Sequence, residues 1–437
     1  MVNARVVKHE LTRRQSLLTA LLSALQSVPT RLLATILALD AARIRGLLLR
    51  AAAGGSVYAL LVCAFGGFYE KPWQLIGVTA RMSYVTCRTL GDYIARGCRP
   101  IFPEWTLGFE ITRALVREAM SKYGRCMMKP RNASFIRRQS EVLGTALGYL
   151  ACKQCGTRTE PFEYNGLEHV WIKSASQPPV PPRTRVVVLF FHGGGYAVLS
   201  PRMYINVGAE LQSRTARLLE RPDVQVDVLL ANYRKIPEYP YPIPPEDAYR
   251  MYEYLIDHEK LSPKQIIIAG DSAGGGLAMA TLIRARDQGT SDERLPLGGI
   301  LSCPFVDLEI GGDERKAPYC LIGDAAGQAI YDLYHPRDGP PSTWGDASPV
   351  HCDLKGLPPV YIQAAELDYI YPHAVRLADK ARADGVKDWE LDVHANVPHV
   401  FTNFPRSMLP IAAQGLEAMA AFAASRFREA LARAESA

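Results

Sequence analysis

The stretch Gln265-Ile266-Ile267-Ile268-Ala269-Gly270-Asp271-Ser272-Ala273-Gly274 decides the fold, because an apolar run passes directly into a Gly-x-Ser-x-Gly pattern. The run is typical of a buried strand, and the next residues, Gly275-Gly276-Leu277-Ala278-Met279, favour a helix. Small residues on both sides of Ser272 allow a sharp turn from strand to helix that leaves the serine hydroxyl exposed. The pattern therefore predicts a nucleophilic serine at the positive end of a helix.

A glycine triplet follows a second predicted strand. Residues 185–191 are a near-continuous apolar run, typical of a strand covered on both faces of a sheet, and His192-Gly193-Gly194-Gly195-Tyr196 comes next. Glycines let bare N–H groups approach a ligand, and each such donor lowers the barrier of acyl transfer by about 3 kcal/mol when it holds the oxyanion. The alternative is a phosphate-binding loop, but neither Gly-Lys-Ser/Thr nor Gly-x-Gly-x-x-Gly is present. The triplet therefore predicts an oxyanion hole.

A nucleophilic serine needs a general base, and the base needs a carboxylate to orient it. In hydrolases built on an open sheet, the acid and then the histidine follow the serine along the chain. Asp368 comes just after the strand-like run 359–365, and His399 follows the strand-like run 389–394. Because the carboxyl ends of parallel strands meet at one edge of a sheet, we expect both side chains to reach Ser272.

Three other residues compete for these two roles. Glu366 is an alternative acid, although it lies closer to the end of its strand. His373 is expected in the helix after Asp368, too near in sequence to return to that carboxylate. His394 lies within a strand, where a structural role is expected. The sequence therefore favours Asp368 and His399.

Taken together, these motifs resemble those of the hormone-sensitive-lipase-like esterases of the α/β-hydrolase fold. The resemblance covers residues 155–430 and rests on five segments: His192-Gly193-Gly194-Gly195, Asn232-Tyr233-Arg234-Lys235-Ile236-Pro237-Glu238, Gly270-Asp271-Ser272-Ala273-Gly274-Gly275, Asp368 and Pro398-His399-Val400-Phe401. The chain departs from the family at Tyr371, where many members have a second acidic residue, and at Glu366, which replaces a frequent glycine.

The resemblance implies a serine carboxylic-ester hydrolase that works through an acyl-enzyme. Ser272 would be the nucleophile, His399 the general base and then acid, and Asp368 the orienting carboxylate. The substrates would be esters of short or medium acyl groups, acetyl included, with apolar alcohols or lipids. An acyltransferase or amidase with the same triad, or a non-catalytic small-molecule receptor, remains the alternative.

The resemblance also implies how the oxyanion is held. The donors would be backbone amides of the triplet and of the residue after the nucleophile, namely Gly193, Gly194, Gly195 and Ala273. His192 would brace the glycine loop. Neither a metal nor an organic cofactor would be needed.

The order of predicted elements gives the fold class. Strands are predicted near 160–173, 185–191, 225–231, 265–269, 299–304, 359–365 and 389–394. Helices are predicted between them, notably at 202–220, 245–259, 274–287, 371–384 and 407–433. This alternation predicts an α/β protein with a mostly parallel, doubly wound sheet and helices on both faces. The first two strands are expected to form an antiparallel edge.

The chain is long enough for a catalytic domain and an N-terminal extension. We predict a basic, apolar helical region over 1–100, a helical cap segment over 101–155 and an α/β-hydrolase domain over 156–437. Within the last, an insertion at about 306–345 would add to the cap. Such lids exclude water from the charged intermediate and shape the pocket.

The net charge of +6 lies entirely in the first fifty residues, which hold eight basic and two acidic side chains. A basic, leucine-rich, helix-favouring segment predicts contact with a membrane surface, here through residues 1–80, rather than with nucleic acid. The uncharged stretch 51–69 is long enough to span a bilayer but contains four glycines, so a buried helix is the alternative. With no clear cleavage site, we expect an intracellular protein that is not secreted.

The cysteines do not indicate a disulfide framework. Nine of them, an odd number, are spread from Cys63 to Cys352. Cys152 and Cys155 form a single Cys-x-x-Cys pair without a histidine cluster at metal spacing, so two ordinary thiols are expected. The oligomeric state is left open by the sequence.

Overall fold

The computed structural model describes residues 65–176, 184–288 and 294–436, and eight strands in these ranges form one sheet. The strands are β1 (Thr157–Tyr164), β2 (Leu167–Ser174), β3 (Thr184–Phe191), β4 (Val224–Ala231), β5 (Ile266–Asp271), β6 (Gly298–Ser302), β7 (Val360–Ala365) and β8 (Trp389–His394). The helices are α1 (Gln74–Ala95), α2 (Leu107–Met127), α3 (Pro130–Cys155), α4 (Ile205–Leu219), α5 (Ile243–Asp257), α6 (Ala273–Gln288), α7 (Asp324–Tyr334), α8 (Tyr371–Ala383) and α9 (Ala412–Ser436).

The strand order is β1-β2-β4-β3-β5-β6-β7-β8, and all neighbours from β4 to β8 are parallel. The mostly parallel sheet predicted from the sequence is confirmed. At this sheet the carboxyl ends of the central strands align, with Phe191 opposite Gly270 and Asp271 opposite Ser302. The edge at which a site was expected therefore exists.

The antiparallel edge predicted for the first two strands is present. The region 160–173 forms a hairpin of β1 and β2 at the edge of the sheet, and β2 also pairs antiparallel with β4. Asn165 and Gly166 connect the two strands with φ of 53° and 71°. An Asn-Gly pair adopts positive φ at little cost and forms the tight turn that suits twisted antiparallel strands. The antiparallel edge expected from the sequence is therefore confirmed.

Strand β3 is apolar from Val186 to Phe191 because helices cover both faces of the sheet. Val187, Leu189 and Phe191 belong to one buried cluster, together with residues of α5, α6 and α8. Val186, Val188 and Phe190 belong to the cluster on the opposite face, with residues of α4 and α9. Alternate side chains of a strand point to opposite faces, so a strand covered on both sides has no polar position.

Helices from two distant parts of the chain meet over the carboxyl edge. Helix α2 begins after Thr106, whose hydroxyl accepts a hydrogen bond from the Phe109 amide, as an N-cap residue does. The guanidinium of Arg117 on α2 donates to four carbonyl oxygens between residues 314 and 322. Helix α7 follows this segment and packs against α2. The division into regions 1–100, 101–155 and 156–437 stays a prediction.

In the described ranges, no helix combines the length and apolarity that a bilayer span requires. The predicted membrane segment 51–69 and the basic region before it lie outside the described residues as far as residue 64.

Candidate active site

Ser272 occupies the turn between β5 and α6 with φ of 51°, in the left-handed region that a non-glycine residue rarely adopts. The flanking glycines are required by close packing. A Cβ atom on Gly270 would lie 2.2 Å from the carbonyl oxygen of Gly274, and one on Gly274 would lie 2.0 Å from that of Phe191. The turn is fixed by the amide of Ser272, which donates to Ser302 O at 2.9 Å. The hydroxyl is thereby held at the sheet edge.

The three residues predicted as nucleophile, base and acid are in contact. The Nε2 atom of His399 lies 2.8 Å from Ser272 Oγ, and its Nδ1 atom lies 2.8 Å from Asp368 Oδ2. Asp368 also accepts a hydrogen bond at Oδ1 from the Ile370 amide, at 3.0 Å. All three side chains are buried, with Ser272 only 8% exposed. The arrangement allows the imidazole to accept the serine proton while the carboxylate holds the opposite ring nitrogen.

The loop that carries His399 is anchored from the cap side. The indole Nε1 of Trp105 donates to Asn396 O at 2.8 Å, and the hydroxyl of Thr106 donates to Met408 O at 2.6 Å. Trp105 and Phe109 also pack with Phe401 in one buried cluster. The start of α2 therefore fixes the position of the histidine loop.

The competing residues have other partners. His394 lies 3.0 Å from Asp392 through Nε2, and Glu366 accepts a hydrogen bond from the Asn396 amide. His373 is buried and accepts a hydrogen bond at Nδ1 from the Val306 amide. Tyr371, where the family often has an acid, is the first residue of α8.

The first amide of the glycine triplet is already engaged. The N–H of Gly193 donates to Asp271 Oδ1 at 2.7 Å, inside the protein. Asp271 also accepts hydrogen bonds from Tyr204 Oη and Asn403 Nδ2. Burial raises the pKa of this carboxyl to about 6. Since Gly193 has an internal acceptor, it is a poor candidate for the oxyanion hole that the sequence predicted.

The remaining predicted donors have no such acceptor. Within the part of the chain that the structure describes, the amides of Gly194, Gly195 and Ala273 donate to no other protein group. Gly194 and Gly195 have φ of 107° and 61°. Only glycine adopts this sequence of angles easily, which explains the residue type at both positions.

His192 supports the glycine loop through contacts with buried neighbours. Its Nδ1 atom donates to Gly193 O at 2.7 Å, and its ring stacks on that of Tyr233 with centroids 4.6 Å apart. The Tyr233 hydroxyl donates to His192 O at 2.8 Å. Burial holds the pKa of His192 well below its usual value, so the ring is neutral.

Lys235 is a buried lysine beneath this loop that sequence reasoning did not single out. Its Nζ atom donates to Asn232 Oδ1 and to Tyr233 O, and it lies 4.8 Å from the centre of the Tyr233 ring. Burial lowers the pKa of Lys235 to about 7. The folded protein therefore loses this proton in a pH range where the unfolded chain still holds it.

We expect this lysine to make stability depend on pH. The pKa of Lys235 is lower in the folded protein than in the unfolded chain. The free energy of unfolding therefore decreases as the pH falls towards 7, because the unfolded chain takes up this proton first. Relative to Lys235→Met, the free energy of unfolding of the wild type should rise by about 2 kcal/mol between about pH 7 and 9. Denaturant titrations at several pH values measure this difference. For the control variant Lys153→Met, which changes an exposed lysine, the free energy of unfolding should vary with pH as it does for the wild type. The same variation in Lys235→Met would contradict the prediction.

Two buried thiols adjoin the acid and the base. The sulfur of Cys320 lies 3.6 Å from Asp368 Oδ1, and it accepts a hydrogen bond from the Tyr369 amide at 3.1 Å. One ligand atom each of Cys303, Asp368 and His399 lie within 4.8 Å of one another. The cysteines lie far from Asp368 in the sequence, and no spacing pattern indicated this proximity. All eight cysteines among the described residues are free.

Comparison with known proteins agrees with this architecture. A family model described as an α/β-hydrolase fold matches residues 188–403. An acetyl-hydrolase of Streptomyces hygroscopicus is 33% identical over 218 residues, which cover 49% of this chain and 66% of that protein. An esterase of Acinetobacter venetianus is 30% identical over 247 residues, which cover 55% of this chain and 75% of that protein. The first alignment thus spans just under two thirds of the relative's length.

A solved structure gives the same result over a longer stretch. The crystal structure of an esterase from the bacterial hormone-sensitive lipase family has a TM-score of 0.57 and 28% identity to this chain. The superposition covers 75% of this chain and all of that one. The similarity therefore includes the whole of a hydrolase domain.

Proposed function

The chain belongs to the hormone-sensitive-lipase-like family of the α/β-hydrolase fold, and we propose that it hydrolyses carboxylic esters through an acyl-enzyme formed on Ser272. The observation that carries the proposal is the continuous contact from Ser272 Oγ through the His399 ring to Asp368, with 2.8 Å at each step. The names of the relatives, acetyl-hydrolase and esterase, support an ester as the substrate.

In the first half of the reaction, Ser272 Oγ attacks the ester carbonyl while its proton passes to Nε2 of His399. The oxygen of the tetrahedral intermediate accepts hydrogen bonds from the amides of Gly194, Gly195 and Ala273. The imidazolium retains its Nδ1 proton, which it donates in a hydrogen bond to Asp368, and gives the Nε2 proton to the departing alkoxide, so that an alcohol leaves and the acyl group stays on Ser272.

Water completes the cycle by the same route. His399 takes a proton from water, the hydroxide adds to the acyl carbonyl, and the collapsing intermediate returns the proton to Ser272 Oγ. The products are a carboxylic acid and the regenerated enzyme. Every step uses side chains and amides of this chain.

The room beside the oxyanion hole favours a small acyl group. A Cβ atom on Gly195 would lie 2.3 Å from Cδ1 of Ile330, so this side chain of α7 packs directly on the glycine loop. One turn further along α7, the Tyr334 ring stacks on that of Tyr196 with centroids 3.8 Å apart. These side chains limit the space next to the reacting carbonyl.

We expect p-nitrophenyl acetate and butyrate to be hydrolysed with higher kcat/KM than the laurate ester. Ile330→Ala removes the side chain that restricts the space and should shift the preference towards longer acyl chains by about tenfold, a difference typical of one methylene in an apolar pocket. Leu333→Ala on the same helix is the matched control and should keep the wild-type order. An Ile330→Ala variant with an unchanged chain-length profile would contradict this role.

Product analysis separates hydrolysis from its alternatives. With a butyrate ester and an added alcohol or amine, hydrolysis yields free butyric acid as the main product. A dominant new ester or amide would instead indicate an acyltransferase, and cleavage of anilides at a comparable rate would indicate an amidase. Saturable binding without turnover would indicate a receptor.

We also propose that the protein is intracellular and contacts a membrane surface through its N-terminal region. Membrane contact is supported by the eight basic residues of the first fifty and by the exposed apolar side chains around the start of α1, where Trp73 is 66% and Ile76 is 77% exposed. The full chain should co-sediment with vesicles containing anionic lipid and be released by salt. Trp73→Ala combined with Ile76→Ala should weaken this binding. Binding to neutral vesicles that is as strong as binding to anionic vesicles would contradict the proposal, and so would the absence of binding to anionic vesicles.

A further inference from the structure

Cys303, Asp368 and His399 form a cluster that combines a thiol, a carboxylate and an imidazole. Their ligand atoms lie within 4.8 Å of one another, and all three side chains are buried. Ester hydrolysis as proposed above uses the carboxylate and the imidazole but gives the thiol no task. We propose that this cluster binds a thiophilic divalent cation, Zn²⁺ or Cd²⁺, and that the bound ion switches the enzyme off.

The ligand set and its dimensions fit such an ion. Zinc is bound by cysteine sulfur at about 2.3 Å and by histidine nitrogen at about 2.0 Å, so two ligand atoms of one ion lie about 3.3 to 3.8 Å apart. At present His399 Nδ1 and Asp368 Oδ2 are 2.8 Å apart. Movements of roughly half an ångström to one ångström would bring the three side chains to coordination distance.

The electrostatic surroundings favour a cation. Burial raises the pKa of the Cys303 thiol well above its usual value, and the charges of Asp368 and Asp271 raise it further. The thiol therefore stays protonated and unreactive without a metal. A bound ion reverses this, because coordination deprotonates the sulfur and compensates the nearby negative charge. One proton is released to solvent for each metal–sulfur bond that forms.

Inhibition is expected whichever ring nitrogen of His399 binds the ion. If the ion binds Nε2, the lone pair that accepts the serine proton is occupied. If it binds Nδ1, the ring proton moves to Nε2 and the hydrogen bond to Asp368 is lost, so Nε2 can no longer act as a base. Inhibition rests on the proposed function, whereas binding of the ion does not.

A second cluster of potential ligands competes less well. Asp307, Glu309 and His351 also lie within 4.8 Å of one another. The guanidinium of Arg376 already pairs with both carboxylates, at 3.1 Å from Asp307 and 2.7 Å from Glu309. A cation there would have to displace an arginine, whereas at the Cys303 cluster no positively charged side chain has to leave, and the ion requires the loss of one thiol proton and of one His399 hydrogen bond.

The test uses the full chain with Cys63, Cys87 and Cys98 changed to serine, so that the exposed thiols Cys87 and Cys98 do not bind metal. Added Cd²⁺ should abolish butyrate hydrolysis, and EDTA should restore it. Cys303→Ser should retain activity without metal. It should require at least about tenfold more Cd²⁺ for the same inhibition. Cys352→Ser and His351→Gln are the matched controls and should behave like the parent.

Binding is measured separately from activity in a Ser272→Ala background. Thiolate-to-Cd²⁺ charge-transfer absorption in the ultraviolet and a stoichiometry of one by calorimetry are expected there, and both should disappear with Cys303→Ser. Loss of the signal with Cys352→Ser or His351→Gln instead, or an unchanged signal in Cys303→Ser, would overturn the proposal. Absorption without inhibition of the active enzyme would overturn the inhibitory role, and this result would also count against His399 as the base.

Discussion

Ser272→Ala should lower kcat/KM for p-nitrophenyl butyrate by roughly 10⁴- to 10⁶-fold. The loss is this large because the hydroxyl is the atom that forms the covalent bond, and no other described hydroxyl lies against His399 Nε2. The residual rate would come from water that enters the space left by Oγ and is assisted by the oxyanion donors. Steady-state kinetics with a highly purified variant measure the effect.

The control for this prediction is another buried serine. The hydroxyl of Ser140 on α3 donates to Arg137 O at 2.6 Å and lies 2.9 Å from Ser200 Oγ, from which it can accept, away from the triad. Ser140→Ala should keep kcat/KM within a few-fold of the wild type. Circular dichroism and thermal unfolding verify that both variants are folded. A folded Ser272→Ala protein that keeps a tenth of the activity would show that another group is the nucleophile.

The second large effect is expected for Asp368→Asn, which should lower kcat by about 10³- to 10⁴-fold. An asparagine at this position keeps the shape but can present an N–H to His399 Nδ1. The imidazole would then carry its proton on Nε2 and donate to Ser272 instead of accepting from it. The binding of substrate should change much less than kcat. Comparison of kcat with KM for the butyrate ester separates the two.

The chain offers a matched control for this variant. Asp392 and His394 form a second carboxylate–histidine pair, 3.0 Å apart, on strand β8. Asp392→Asn makes the same chemical change in a pair that has no contact with Ser272, and it should leave kcat within about twofold. If the two variants lost activity equally, the effect would arise from stability rather than from the orientation of His399.

The central elements of the fold could be predicted because the residue types there match the burial and the turn geometry of their positions. The apolar run before Ser272 became β5 (Ile266–Asp271), and the small residues after it became the start of α6. The antiparallel edge expected for the first two strands is the hairpin of β1 and β2, whose turn is formed by Asn165 and Gly166.

Other features of the site could not be found from the sequence because they arise only from tertiary contacts. Asp271 occupies a variable position of the Gly-x-Ser-x-Gly pattern, and nothing there indicates that its carboxylate takes the amide of Gly193. The contact from Trp105 to Asn396 joins residues 291 positions apart. Cys303 likewise approaches Asp368 only because β6 and β7 are neighbours. Such proximity follows from strand order, which periodicity does not encode.

The most direct test is to trap the covalent intermediate. The wild-type chain is mixed briefly with p-nitrophenyl acetate or treated with a fluorophosphonate, quenched in acid, and analysed by intact-mass and peptide mass spectrometry. We expect one acetyl or phosphonyl group per chain, on the peptide that contains Ser272, and none in Ser272→Ala. An enzyme that hydrolyses the ester while Ser272 stays unmodified, or that carries the group on another residue, would contradict the account.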